Sequence, residues 1–184
     1  MDAIQWLLLT YKVPPEPTGR RVSIWRRLKG MGAIYLQGGV CLLPKTDDHI
    51  RRLKIIENDV SQMGGEAVLL QTIAFDAAQR QKVLDRFMED RNEQYRELLG
   101  KCIGFEREID KEISICKFTY AELEEEDAEF RKLARWFEKI HRLDFYGAPL
   151  AQEARMALET CKSRLDDYAR RVFDAHDENR HGAA

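Results

Sequence analysis

The chain has no long apolar run. The densest stretch, Ile4 to Leu9, is far shorter than the roughly 20 residues a membrane-spanning helix needs. It also lacks the basic flank and small-residue cleavage site of an export signal, so no membrane partner is expected and the cytoplasm is the expected location. Cysteine is scarce: Cys41, Cys102, Cys116 and Cys161 stand far apart, form no C-x-x-C and keep no ligand spacing with histidine. A disulfide framework and a zinc site both lose their support, and the thiols read as reduced, mostly buried apolar residues. The four histidines, His49, His141, His176 and His181, do not cluster. There is no Ser-His-Asp order, no glycine-rich phosphate loop and no H-E-x-x-H. Catalytic residues, metal ligands and cofactors are therefore not expected, and the chain reads as something other than an enzyme.

Charge is what the chain has in abundance. Charged residues make up 34% of its 184 residues, with a net charge of −2. Their distribution is uneven. Up to Lys54 there are ten lysines and arginines against four acids, which leaves an excess of six positive charges in front and eight negative charges behind. A basic end attached to an acidic remainder points to an anionic partner for that end.

The front reads as alternating strands and helices. Ile4 to Val13 is an apolar run closed by Pro14, Pro15 and Pro17, a buried strand. RRVSIWRRLKGMG follows with helical spacing: Val22, Ile24, Trp25, Leu28 and Met31 on one side, Arg20, Ser23, Arg26 and Arg27 on the other. Gly30 and Gly32 close it. Ala33 to Leu43 contains Gly38-Gly39, a hairpin signal. Thr46 or Asp47 caps a helix with Ile50, Leu53, Ile56, Val60 and Met63 at threes and fours, and Ala67 to Phe75 is a last strand. The order strand, helix, strand, strand, helix, strand predicts a ferredoxin-like split βαβ domain over residues 1–75, within an α+β fold.

From Asp76 on the texture is helical, and Pro149 is the only proline. Asp76 opens a first helix in which Gly100 and Gly104 are candidate bends. Thr119 to Glu122 fits a capping box for a second helix, and Pro149 stands at the start of a third. Residues 76–184 are thus expected to form three antiparallel helices, a bundle or an arm, with 175–184 a frayed tail. Trp25, Trp136 and Phe137 take core-like positions.

Arg20, Arg21, Arg26, Arg27 and Lys29 form the candidate nucleic-acid-binding set. Guanidinium groups fork onto phosphates with a permanent charge, and a helix carrying several can follow a phosphodiester backbone. Arg21 differs from the others because it falls inside the apolar arc. The bland alternative is a solvated helix face paired with acids elsewhere. Arg51, Arg52 and Lys54 extend the patch if Asp47 and Asp48 leave them free. The acidic run Glu122 to Glu129 suits the positive end of its helix, the cheaper explanation beside a metal ion, a basic partner, or the arginine helix of this or a second copy.

The succession Trp6-Leu7-Leu8-Leu9, then Arg20 to Ala33 with its W-R-R-L-K-G-M-G, then Gly38-Gly39-Val40-Cys41-Leu42-Leu43-Pro44 resembles the N-terminal domain of the ChrB chromate-resistance regulators. Softer likeness continues through FTYAELEEEDAEFRKLARWFEKIHRLDF. The resemblance implies a DNA-binding transcriptional regulator with chromate as effector. It also implies a second, C-terminal domain that this chain is expected to lack. More distantly the front is similar to the middle domain of PaaX-type repressors and to the ferredoxin-like nucleases of CRISPR adaptation. In those nucleases an aspartate ends the first strand, where this chain has Lys12. The competing expectation is a protein–protein adaptor or homodimerisation module that binds no nucleic acid.

Overall fold

Residues 4–181 are described by a computed structural model. The elements follow the order β1 (Gln5–Lys12), α1 (Thr18–Gly30), β2 (Ile34–Gln37), β3 (Val40–Pro44), α2 (Asp47–Gln62), β4 (Glu66–Ile73), α3 (Ala77–Ser114), α4 (Tyr120–Arg142) and α5 (Ala151–His181). The chain divides into two compact units. One is Met1–Asp90 with Leu143–Tyr146, the other Arg91–Arg142 with Gly147–Ala184, and the boundary falls within α3.

In the first unit the four strands form one antiparallel sheet of order β2-β3-β1-β4, which is the ferredoxin-like arrangement expected of an α+β chain. β1 is apolar on both faces because it lies at the centre, between β3 and β4. Leu7 and Leu9 pack with Ile24 and Leu28 of α1, with Met31 just after it, and with Leu53, Ile56 and Val60 of α2. On the other face Trp6 packs with Ile34, Leu42 and Phe87, and Phe145 and Tyr146 complete that cluster. The Trp6 indole N–H donates to the Tyr146 hydroxyl at 2.9 Å. At the hairpin, Gly39 takes φ +72, and a Cβ there would stand 2.4 Å from the Tyr11 carbonyl oxygen. The Tyr11 amide donates to the Gly39 carbonyl at 2.7 Å, so the hairpin tip is held against β1.

The second unit is a helical assembly with a core spaced in threes and fours. Tyr95, Leu98, Cys102, Phe105 and Ile109 are buried on α3, Leu133, Phe137 and Ile140 on α4, and Cys161, Leu165, Tyr168 and Val172 on α5. That is the alternation of a coiled-coil seam. Two acids occupy the same stripe, Glu112 and Glu126, exposed by only 2% and 5%. Thr119 Oγ1 accepts from the Glu122 amide, as the capping signal predicts. α3 is helical through Gly100 and Gly104, without the break those glycines suggested. α5 extends to His181, so most of the expected frayed tail is helix, and 182–184 lie outside the described residues. Among the described residues no helix is long and apolar enough to cross a membrane.

Candidate nucleic-acid interface

α1 forms because Ile24 and Leu28 recur on one face and bury against the sheet, fully covered, with the C-cap Met31 continuing the same stripe. Its two ends treat charge differently. The last turn holds Arg27 and Lys29, where cations complement the helix dipole. Both are paired: Arg27 with Asp59 of α2 at 2.6 Å, and Lys29 with Asp90 at 2.8 Å. The first turn has no side-chain cap and no acidic residue, its N-cap being Pro17. In place of acids it holds Arg20 and Arg21, both exposed. Cations there oppose the dipole by a few tenths of a kcal/mol or more. Anions are the natural guests of a helix start, and a local rule broken without structural gain is a mark of function.

The five candidate cations therefore separate. Arg20, Arg21 and Arg26 are exposed, and no ion pair engages them among the described residues. Arg27 belongs to the flank that meets α2, which parts it from the common face on which its spacing placed it with Arg20 and Arg26. The proposed extension onto α2 is largely engaged as well. Arg51 and Arg52 both reach Asp48, at 2.7 and 3.6 Å, and the Arg51 hydrogen bond holds the Asp48 carboxyl below its usual range. Lys54 remains exposed.

Arg21 opens onto a cleft of about 690 Å³ that helical spacing did not reveal. Tyr11 and Lys12 from the end of β1, Val22 and Trp25 from α1, and Tyr35 from β2 line it with Arg21, and the Gly38-Gly39 turn closes one side. Trp25, expected in the core, is 48% exposed here, and Val22 is 37% exposed. Phe137 is core as expected, while Trp136 is half-buried. The hydroxyls of Tyr11 and Tyr35 are hydrogen-bonded at 2.9 Å. Burial raises both phenols above their ordinary range, so the pair stays protonated and neutral. The lining contains Lys12 and Arg21 and no carboxylate. The one signal for this cleft in the sequence was Arg21 lying within the apolar arc beside Trp25.

No group of three or more histidine, cysteine or acidic residues able to hold a metal occurs among the described residues. Residues 21–179 match the family described as Protein ChrB, N-terminal. The chain is similar to Protein ChrB of Cupriavidus metallidurans, 26% identical over 165 residues that make up 88% of this chain. It spans about half the length of that curated relative, 46%. The family match thus runs from within the first turn of α1 through the rest of the sheet and most of the helical unit, and the chain belongs to the ChrB N-terminal family.

Proposed function

We propose that this chain is a non-catalytic regulatory protein concerned with chromate resistance, and that it grips DNA through the front of α1. Arg20, Arg21 and Arg26 carry the contact, each neutralising a backbone phosphate. Arg27 and Lys29 contribute mainly to the field around the helix, since Asp59 and Asp90 hold them. The observation that carries this reading is the uncapped first turn of α1, which has two exposed arginines where a structural helix would place acids.

The test is binding of a fluorescent duplex drawn from the DNA upstream of the protein's own coding region, measured by anisotropy across a salt series. Each phosphate contact contributes roughly −0.9 to the slope of log K against log salt. Replacing Arg20, Arg21 and Arg26 by alanine together should flatten that slope by about 2.7 and weaken binding at low salt. An unchanged affinity in the triple variant would refute the reading. Chromate enters through the family alone, and a change in duplex affinity on adding chromate is its test.

A second reading, self-association or a protein partner, is favoured by the sheet edge. β4 is an outer strand, Val68, Leu70 and Ile73 on it are each more than half exposed, and Phe75 just beyond is 96% exposed. Unprotected apolar edges invite strand pairing. Light scattering that found a stable dimer broken by Leu70→Lys would support it.

A further inference from the structure

We propose that the cleft beside α1 is a seat for one unstacked nucleotide, its base lying on Trp25 and its phosphate held by Arg21 and Lys12. This rests on the reading of the chain as a nucleic-acid binder and names the part of the polymer the cleft would take. Three observations on the same concavity converge. Its volume, about 690 Å³, falls within the roughly 300–1,000 Å³ of small-molecule sites, whereas a duplex cannot enter a pocket of that size. Trp25 is a large aromatic residue left 48% exposed in the wall. Indole faces stack on bases of any sequence, and no apolar neighbour has claimed this one fully. The two cations in the lining have no carboxylate beside them in it, in a chain whose overall balance is acidic. Their charge is available to a phosphate.

The inner wall supplies the polar recognition. Tyr11 and Tyr35 share one hydrogen bond. One hydroxyl donates to the other, which leaves the second proton to be offered outward to a base carbonyl or a phosphate oxygen. Because both phenols stay neutral, the wall does not repel an anion. The seat is also fixed in shape. The hairpin tip is tied to β1 by the Tyr11 amide, and no side chain fits at Gly39 against the Tyr11 carbonyl. Arg20, just outside on the same helix turn, is placed to take the next phosphate of a strand.

The same chemistry is offered by a free mononucleotide and by an unpaired nucleotide within a strand, and the experiment separates them. The full chain is titrated into fluorescein-labelled dT12, with dTMP, thymidine and inorganic phosphate as competitors and a 20-base-pair duplex as a second probe. Trp25→Ala, Trp25→Phe, Arg21→Ala and Arg26→Ala are compared, each checked for an unchanged thermal melt. Trp25→Ala is expected to weaken dT12 about tenfold, Trp25→Phe to restore most of the loss, and Arg21→Ala to weaken both dT12 and dTMP. dTMP should compete better than thymidine or phosphate alone. A dT12 affinity well above that of dTMP upholds the seat as a strand site, and equal affinities uphold it as a mononucleotide site. Wild-type dT12 binding in Trp25→Ala, or competition by phosphate as strong as by dTMP, overturns the proposal. Duplex affinity that falls in Arg26→Ala alongside either of these overturning results leaves the DNA-binding reading intact. Trp25-dependent dT12 binding with a duplex indifferent to Arg26 upholds the seat and removes the duplex reading.

Discussion

Arg27 of α1 donates to the Asp59 carboxylate of α2 at 2.6 Å, which binds two helices of the sheet's covered face together and takes one cation out of the set available to an anionic partner. Both side chains are partly exposed, so the pair contributes well under about 1 kcal/mol to stability. Its larger effect is on charge. Asp59→Asn should leave the melting temperature within a degree or two and release Arg27. A released Arg27 that reaches a phosphate steepens the salt dependence of duplex binding by about 0.9. The measurement is anisotropy over a salt series, and an unaltered slope would mean that the α2 flank of α1 never meets DNA.

Much of the fold was legible because the chain punctuates its elements. Pro14, Pro15 and Pro17, then Gly30 and Gly32, Gly38-Gly39, Pro44 and Gly64-Gly65 stand at element ends, and the apolar pattern between them changes from short runs to spacings of three and four. What was not legible is tertiary. The partners that divide α1's cations into held and free, Asp59 and Asp90, lie 32 and 61 residues from Arg27 and Lys29. Spacing along one helix cannot name them. Trp25 departs from its expected core position for a related reason: helical phase places it inside the apolar arc, between Leu28 and Val22, and phase alone cannot say how much of that arc the sheet covers. The return of Leu143–Tyr146 to the sheet has no sequence signal that we can identify.

That return is anchored by the hydrogen bond from Trp6 to Tyr146, whose donor indole is 1% exposed. Tyr146→Phe keeps the ring and its contact with Phe87 but leaves a buried N–H without its acceptor. The expected cost is about 1–3 kcal/mol in urea unfolding, with little change in m-value. A loss below a few tenths of a kcal/mol would mean that water replaces the hydroxyl.

The cysteines give a labelling prediction. Cys41, Cys102 and Cys161 are buried, and Cys161 Sγ donates to the Cys102 carbonyl at 3.6 Å. Burial pushes the Cys41 thiol up to about 12. Cys116, between α3 and α4, is exposed. A maleimide at neutral pH should add one mass unit of label to the native protein, at Cys116, and four after denaturation. Thiolate and access both govern the rate, so rapid native labelling at Cys102 or Cys161 would show that the second unit opens readily.

Glu126 gives the strongest pH dependence. The acidic run around it reads as a solvated helix start, yet its position one turn before Phe130 in the 126, 130, 133, 137, 140 stripe sends it inward, where it is 5% exposed. Burial comes first in raising its pKa, to about 7 from an ordinary 4.5, followed by the charges of Glu108, Glu125, Glu112 and Glu122. Lys111 and Lys117 are spent on Glu108, Glu112 and Glu122 and do not reach it. The native state therefore holds this proton more tightly than the unfolded chain does. The associated stability is fully present below pH 4.5 and is lost as pH rises through about 7. Between pH 5 and pH 8 the wild type should lose on the order of 1–3 kcal/mol by this route. Glu126→Gln, which keeps the shape of the protonated acid, should lose none of it and melt higher than wild type at pH 8 but not at pH 4.5. Parallel melting curves for the two proteins across that range would place the carboxylate in water, and Glu126 would then have no part in the bundle's core.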